Sequence, residues 1–109
     1  MTDTHPFYAL HRQGIVRVGV CTPAVRVADP LANADATIAL AERGHAEGVD
    51  LIVDPELGLS SYAIDDLHLQ DALLDGVLAA LDRVVDASRD LSPVLLVGAP
   101  LRRNGRLYN

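Results

Sequence analysis

The sequence alternates short apolar runs with longer stretches of helical periodicity, and this alternation constrains the fold more than any other feature. Aliphatic and β-branched residues dominate the runs 15–21, 49–53 and 94–97. The intervening stretches, 29–48 and 66–89, carry apolar residues at three- and four-residue steps. Such runs are typical of buried strands, and such stretches of amphipathic helices. Because strand–helix alternation produces parallel strands joined by right-handed crossovers, the sequence predicts an α/β fold with a parallel sheet.

Local signals place the ends of the first predicted helix. Asp29 followed by Pro30 combines an N-cap side chain with a residue suited to the first helical turn. Gly48 is placed to end this helix, because glycine tolerates the left-handed conformation that follows many helices. The predicted apolar stripe consists of Leu31, Ala34, Ile38, Ala41 and His45. We attribute His45 to a favourable interaction with the C-terminal end of the helix dipole.

The later part of the chain carries equally clear boundary signals. The second predicted helix spans 66–89, and Ser92–Pro93 closes it. Asn104–Gly105 is a strong hairpin signal, so residues 106–109 are predicted to open a fourth strand. The apolar stripe of the second helix consists of Leu67, Leu73, Leu74, Val77, Leu78, Leu81, Val84 and Val85.

Composition limits the class of protein. The chain has 109 residues, half of them hydrophobic, which suits the core of one small domain. Its net charge of -6 argues against nucleic acid or an anionic membrane as a partner, since phosphates would be repelled. The single cysteine, Cys21, excludes a disulfide framework and fits a reducing compartment. Residues 1–13 are predicted to be a loose lead-in, and no apolar run is long enough to cross a bilayer, so we expect a cytoplasmic protein.

Glu56 is the leading candidate for chemistry. It follows the predicted strand 49–53 and Pro55, and a turn-rich stretch comes next. A carboxylate at the carboxyl end of a buried strand lies where α/β folds build active sites. It can act as a base if its surroundings raise its pKa, and the neighbouring Asp54 is expected to raise the pKa of at least one of the two if both face one cavity. The alternative is a solvated loop glutamate.

Other nucleophiles and metal ligands are less well placed. Cys21 ends the first predicted strand and could face the same edge as Glu56, but a free cysteine is more often a small buried hydrophobe. Ser60 and Ser61 lack a Gly-x-Ser-x-Gly elbow, and the four histidines lack triad or zinc-ligand spacing. One group of acidic residues is better explained as a solvated helix face than as a metal site. This group consists of Asp65, Asp66, Asp71 and Asp75.

The turn that carries Glu56 matches a known motif. The pattern Pro-Glu-Leu-x-Leu-Ser-x-Tyr is matched by residues 55–62, and the match continues over 64–74. With these stretches the sequence resembles the beginning of the carbon–nitrogen hydrolases, the nitrilase superfamily. Within that family it is most similar to the branch of glutamine-dependent NAD synthetases, over essentially all of residues 7–109. Further matching stretches are residues 7–9, 14–18, 29–34, 97–101 and 108–109.

The resemblance implies an α-β-β-α sandwich, of which residues 1–109 would form an incomplete N-terminal portion. It also implies a glutaminase domain that uses a Glu, a Lys and a Cys. Glu56 corresponds to the general base that deprotonates the cysteine nucleophile, and Tyr62 to a tyrosine near the glutamine pocket. The sequence contains no lysine, and Cys21 is not at the position of the nucleophile, so the chain alone is expected to be inactive.

The resemblance further implies cofactors and partners for a larger parent protein. Ammonia released from glutamine would pass to a synthetase domain that binds ATP, magnesium and deamido-NAD, and none of these cofactors is expected in this chain. The expected partners are glutamine, the remainder of the parent chain and further copies in a homo-oligomer, with no nucleic acid and no membrane. Two alternatives stay open. One is a fragment of another family member, such as an amidase or carbamoylase, and the other is a complete small α/β binding module without catalysis.

Two positions depart from the pattern of the family that the sequence resembles. Asp54 stands where an aromatic residue such as Phe is usual, directly before Pro55 and Glu56. Ser61 replaces the usual glycine of Ser-Gly-Tyr, at a position where serine tolerates a positive φ less well than glycine does. An acid beside the base is expected to change the pKa of that base.

Overall fold

The computed structural model describes residues 5–109, so the first four residues of the predicted lead-in lie outside the described residues. The rest of the lead-in forms two 3-10 turns, Pro6–Tyr8 and Leu10–Gln13. The elements that follow are β1 (Val18–Val20), α1 (Pro30–Ala46), β2 (Leu51–Val53), a 3-10 turn (Asp65–Leu69), α2 (Asp71–Ser88), β3 (Val94–Leu96), β4 (Leu101–Arg103) and β5 (Arg106–Tyr108). The predicted alternation of strands and helices is confirmed.

The first three strands form one parallel sheet in the order β1-β2-β3. Val18 pairs with Leu51, which pairs in turn with Val94. The regular strands are shorter than the apolar runs that predicted them. Backbone pairing nevertheless continues past β1, because Cys21 N donates a hydrogen bond to Val53 O at 2.9 Å. Parallel pairing through helical crossovers is the predicted topology.

Helix α1 begins and ends as predicted, and its buried face includes Ala34 and Ala41 from the centre of the predicted stripe. The Asp29 side chain accepts a hydrogen bond from Ala32 N, and Gly48 follows the helix with a φ of +72°. Leu31 is 41% exposed and His45 is also exposed, so the predicted stripe is wrong at both ends. The buried face is instead built largely from small residues: Pro30, Asn33, Ala34, Thr37, Ala41 and Gly44. Small side chains allow the helix to lie close to the sheet, since a Cβ at position 44 would lie 2.5 Å from the Ile52 side chain.

Helix α2 is shorter than predicted at its N-terminal end. Residues 65–69 form a 3-10 turn, and Gln70 is extended, with φ -78° and ψ 127°. This extended residue interrupts the helical hydrogen bonds, so the α-helix starts at Asp71 and ends at Ser88, before Ser92–Pro93. Its buried residues are Leu73, Leu74, Val77, Ala80 and Val84. They confirm the centre of the predicted stripe, whereas Leu67, Leu78 and Val85 are exposed.

Both helices pack on the sheet face that carries Ile52 and Leu95, and the opposite face is open. One core cluster joins α1 and α2 to Leu95, and a second joins α1 to Ile52. On the two outer strands, the alternating residues of the opposite face stay at least half exposed, because no described element covers them. These residues are Val18, Val20, Val94 and Leu96.

The predicted hairpin forms after the sheet. Strands β4 and β5 pair antiparallel, with Leu101 opposite Tyr108. Asn104 and Gly105 have φ values of 51° and 73°, the left-handed pair that a two-residue hairpin turn requires. The turn therefore confirms the prediction from Asn-Gly. Within the described range, no helix is long and apolar enough to span a membrane.

Candidate functional site

The carboxyl ends of the parallel strands meet at one edge of the sheet, and this edge positions the candidate residues. Cys21 follows β1, Asp54 follows β2 and Gly98 lies just after β3. Asp54 N donates a hydrogen bond to Leu96 O at 2.9 Å, which continues the β2–β3 pairing into the site. Sequence reasoning placed Cys21, Asp54 and Glu56 at this edge, and the structure brings their segments together there.

The turn carrying Glu56 is pressed against the end of β3. Leu59 N donates a hydrogen bond to Gly98 O at 3.1 Å, and Gly58 N donates one to Pro55 O at 3.1 Å. A Cβ at Gly98 would overlap the Pro55 carbonyl oxygen and lie 2.5 Å from Leu57 N. The close approach explains why residue 98 must be glycine. It also fixes the position of the Glu56 backbone relative to the sheet edge.

The backbone after Glu56 adopts strained conformations. Leu57 is buried with a φ of 52°, and Ser61 has a φ of 83°. Non-glycine residues in the left-handed region are uncommon, and they persist where the surrounding structure holds them. The positive φ at Ser61 agrees with the glycine that the resemblance leads us to expect at this position. The strain therefore lies in the segment that shapes the candidate site.

Glu56 itself is an exposed side chain on a shallow depression. The depression has a volume of about 470 Å³ and is lined by residues 53–56 and 95–98. A Glu56 carboxylate oxygen accepts a hydrogen bond from the Asn109 side chain, which follows β5. The hairpin therefore reaches back to the sheet edge and holds this carboxylate. The position at the edge agrees with the sequence prediction, while the side chain is open to solvent rather than enclosed by the described residues.

Asp54 is the buried carboxylate of the pair. Neither of its carboxylate oxygens is accessible to solvent, and neither has a hydrogen-bond partner within residues 5–109. Burial raises the pKa of Asp54 above its usual value, because a charged carboxylate is unfavourable away from water. The expected increase in pKa therefore falls on Asp54, and its cause is desolvation rather than repulsion by Glu56.

Cys21 has the properties of an unreactive thiol. Burial raises its pKa, and the negative charge of Asp54 raises it further. A thiol with a raised pKa is a poor nucleophile near neutral pH, because the thiolate is the reactive form. The environment thus agrees with the expectation that Cys21 is not the nucleophile, although it lies at the same sheet edge as Glu56.

The residues after the Glu56 turn have mainly structural contacts. The Ser60 side chain is fully buried, and its hydroxyl contacts Leu57 O at 3.3 Å and Ser61 O at 3.2 Å. His68 Nε2 lies 3.4 Å from the same hydroxyl. Tyr62 is 67% exposed, so the described residues do not form a pocket around it. The Ser60 hydroxyl is therefore used to hold the turn together.

Asn33 supports the site and was missed by the sequence analysis. It is buried on α1, and its side-chain amide donates hydrogen bonds to Leu59 O at 3.0 Å and Arg26 O at 2.8 Å. Its side-chain oxygen accepts a hydrogen bond from Arg26 N at 2.7 Å. Asn33 thus joins the helix, the loop after β1 and the Glu56 turn. The sequence offered one signal for this role, since Asn33 is a polar residue directly before Ala34 of the predicted apolar stripe.

His45 lies in the last turn of α1, as predicted, and makes a contact that the sequence did not predict. Its Nδ1 accepts a hydrogen bond from Ser92 N at 3.1 Å and lies 2.9 Å from Ser92 Oγ. His45 thus joins the end of α1 to the loop before β3, a contact between residues 47 positions apart in the sequence.

The acidic residues near α2 form no metal site. Within the described residues, no group of three or more His, Cys, Asp or Glu side chains could hold a metal ion. Asp65, Asp66, Asp71 and Asp75 are exposed, and Asp71 forms an ion pair with Arg102. The predicted solvated acidic face therefore agrees with the structure, and its one ion pair attaches α2 to the hairpin.

Residues 17–109 match the carbon–nitrogen hydrolase family. The chain belongs to that family. Relatives within the carbon–nitrogen hydrolases include the glutamine-dependent NAD(+) synthetase of Mycobacterium tuberculosis, 50% identical over 103 residues, which are 94% of this chain and 15% of the relative. The glutamine-dependent NAD(+) synthetase of Xylella fastidiosa is 36% identical over 78 residues, 71% of this chain and 14% of the relative. The chain thus spans about 15% of the length of the mycobacterial relative.

Solved structures show the same fold. A glutamine-dependent NAD(+) synthetase from Cytophaga hutchinsonii superposes with a TM-score of 0.78 at 21% identity, over 86% of this chain and 16% of that protein. An amidase from Nesterenkonia sp. superposes with a TM-score of 0.67 at 26% identity, over 78% of this chain and 32% of the amidase. The predicted α/β class is confirmed, and the parallel sheet with helices on one face is part of the fold of the carbon–nitrogen hydrolases.

Proposed function

We propose that this chain is part of the glutaminase domain of a glutamine-dependent NAD synthetase. That domain hydrolyses glutamine and supplies ammonia for the ATP-dependent amidation of deamido-NAD. The observation that carries the proposal is the 50% identity to the mycobacterial synthetase across 94% of the chain, including the turn with Glu56. The place of Glu56 at the carboxyl edge of a parallel sheet supports it independently, because α/β enzymes bind their substrates at that edge.

Glu56 is the general base in this proposal. It accepts the proton of a cysteine thiol, the thiolate attacks the carboxamide carbon of glutamine, and the same carboxyl group returns a proton to the leaving ammonia. The hydrogen bond from Asn109 orients the carboxylate, and the close contact of Pro55 with Gly98 fixes its backbone. Tyr62, exposed next to this turn, would contact the substrate.

The other catalytic groups lie outside the 109 residues. The sequence has no lysine to stabilise the oxyanion, and the thiol of Cys21 is not activated. The chain alone is therefore expected to release no ammonia from glutamine above the rate in buffer. Release well above that rate by the isolated chain would contradict the assignment of the nucleophile to the remainder of the parent protein.

The synthetase reaction itself would take place in that remainder, which would bind ATP, magnesium and deamido-NAD. We also propose that the parent acts in the cytoplasm as a homo-oligomer. The cysteine content and the net charge of -6 agree with an intracellular protein that avoids nucleic acid.

Ammonia release by the full-length protein tests the role of Glu56. Replacement of the base in Glu56→Gln should lower kcat for glutamine hydrolysis by about 10²-fold or more, since an amide cannot accept the proton. Glu42→Gln is the matched control, because Glu42 is exposed on α1 and distant in sequence from the site. Glutaminase activity of Glu56→Gln within twofold of the control would overturn the proposed role.

A second candidate is an amidase that acts on a substrate other than glutamine. The superposition on the Nesterenkonia amidase favours it, because that structure shares the fold at 26% identity. The same Glu-dependent chemistry would then serve a different carboxamide. Formation of NAD from deamido-NAD, ATP and glutamine by the full-length protein would decide for the synthetase, and hydrolysis of simple amides without NAD formation would decide for the amidase.

A further inference from the structure

The carboxylate of Asp54 is the least satisfied polar group among the described residues. Both of its oxygens are buried, and neither accepts a hydrogen bond. An ionised carboxylate in such a place is unfavourable because it loses its hydration and receives no donor in exchange. Asp54 lies two residues before Glu56, so this unsatisfied carboxylate is next to the candidate general base.

The groups that face Asp54 offer it no positive charge. The end of β1 presents the thiol of Cys21, and the negative charge of Asp54 raises the pKa of that thiol. The end of β3 presents residues 95–98, which are uncharged, and the depression they line also includes Glu56. Among residues 5–109, the titratable groups described near Asp54 are therefore the acids Cys21 and Glu56, and neither can compensate a carboxylate charge.

The backbone around Asp54 is held on both sides of the residue. Asp54 N is bound to Leu96 O at 2.9 Å, and the Pro55 carbonyl oxygen touches Gly98. Leu57, two residues after Pro55, is buried in a left-handed conformation. A shift of the Asp54 backbone would therefore move Pro55 and Glu56 with it, because these contacts tie the turn to the end of β3.

We propose that Asp54 is a proton-dependent positioning residue for Glu56, whose neutral carboxyl group keeps the Glu56 turn in place and whose ionised form displaces it. The inference rests on the proposed glutaminase function and adds a control by pH to the same site. Asp54 touches no reacting atom in this account. It acts through the position of the neighbouring base.

The direction of the pH effect follows from the burial of Asp54. Burial raises the pKa of Asp54 above its usual value of 3.8. The native state therefore holds the proton more tightly than the unfolded state, so stability is complete below the unfolded pKa. It is lost as the pH rises through the native pKa. A rise in pH above the usual range of an aspartate is therefore expected to loosen the turn.

The experiment compares the pH profiles of the full-length wild type and Asp54→Asn, whose side chain is neutral and of the same shape. Between about pH 5 and about pH 9 the wild type should lose about tenfold in kcat for glutamine hydrolysis relative to the variant, since displacement of a base slows chemistry more than binding. KM should change little. Asp82→Asn is the matched control, because Asp82 is exposed on α2, and its profile should follow that of the wild type.

Three outcomes would overturn the inference. Parallel profiles for wild type and Asp54→Asn within twofold would show that the charge of Asp54 does not reach Glu56. A variant that fails to fold, or that loses activity mainly at alkaline pH, would show that the ionised carboxylate is needed and has a donor in the full-length protein.

Failure of the glutaminase proposal is recognised separately. Thermal unfolding of Glu56→Gln and of the double variant with Asp54→Asn measures the buried acid without any catalysis. A midpoint difference that grows with pH supports the proton dependence even if Glu56→Gln retains glutaminase activity. No such growth would overturn it.

Discussion

The two ends of β2 carry an aspartate each, and their environments are opposite. Asp50, before the strand, accepts hydrogen bonds from Arg17 N and from His11 Nε2, both at 2.7 Å. The backbone hydrogen bond from Arg17 and then the His11 contact lower the pKa of Asp50. Asp54, after the strand, has buried oxygens without a donor, and burial raises its pKa. The amino end of the strand is arranged for stability, whereas the carboxyl end retains an unsatisfied acid beside the candidate base.

This difference indicates where the fold tolerates local conflict. Stable proteins satisfy their buried polar groups, and the exceptions concentrate at functional sites. The left-handed Leu57 and Ser61 lie at the same carboxyl edge as Asp54. Strained backbone and an acid without a donor among the described residues thus occur together at the carboxyl end. At the amino end, hydrogen bonds to Asp50 join β2 to the 3-10 turn Leu10–Gln13 and to the residue before β1.

The largest expected effect on stability concerns Gly98, where the Glu56 turn touches the sheet. Gly98→Ala should lower the free energy of unfolding by about 3 kcal/mol, because the added methyl group overlaps the Pro55 carbonyl. Gly76→Ala is the control, since its Cβ would lie 3.5 Å from Pro30 Cγ and alanine favours the helix. Urea denaturation of both variants measures the difference. Equal stabilities would show that the close approach at the carboxyl edge is not tight.

Removal of Asn33 should affect the carboxyl edge almost as strongly. Asn33→Ala is expected to lower the free energy of unfolding by about 2 kcal/mol, since Arg26 N and Leu59 O lose buried partners. Asn33→Asp keeps the acceptor for Arg26 but lacks the donors, so it separates the two halves of the contact. Urea denaturation again gives the values. An alanine variant as stable as the wild type would remove Asn33 from the support of the Glu56 turn.

The sequence predicts those features of the fold that depend on neighbouring residues. Asp29–Pro30 starts α1 and Asn104–Gly105 forms the hairpin, because capping and turn chemistry act over a few positions. The edge position of Glu56 follows equally from the order of strand and turn. The parallel sheet was predictable for a similar reason, because it follows from the alternation of strands and helices along the chain.

The errors arise where distant segments decide the outcome. The late start of helix α2 has a local cause instead, since Gln70 is extended directly after the 3-10 turn. His45 binds Ser92, and Asn33 binds Leu59, across 47 and 26 positions. The burial of Asp54 depends on the ends of three strands together. No local pattern encodes contacts of this kind.

A smaller effect is expected at Ser61, the strained residue of the same turn. Ser61→Gly should raise the free energy of unfolding by about 1 kcal/mol, because glycine adopts a φ of 83° without a Cβ conflict. Ser92→Gly, outside the left-handed region, should instead be neutral or destabilising. If Ser61→Gly shows no gain, the left-handed backbone there is not strained.

The smallest expected effect sharpens the contrast between the two aspartates directly. Asp50→Asn should be less stable than the wild type at neutral pH, and the gap should close as the pH falls through the lowered pKa of Asp50. Asp54→Asn should be more stable than the wild type at neutral pH, and its gap should close as the pH falls toward 3.8. Thermal unfolding across pH measures both. If both variants were less stable than the wild type, or both more stable, the environments of Asp50 and Asp54 would not be opposite.

We propose that Glu56 serves a glutaminase that feeds a synthetase, and a change of the nitrogen source separates these two activities. NAD formation by full-length Glu56→Gln should fall by about 10²-fold with glutamine as the nitrogen donor and stay at the wild-type rate with ammonium chloride. Loss of both activities, or retention of the glutamine-dependent one, would contradict the claim.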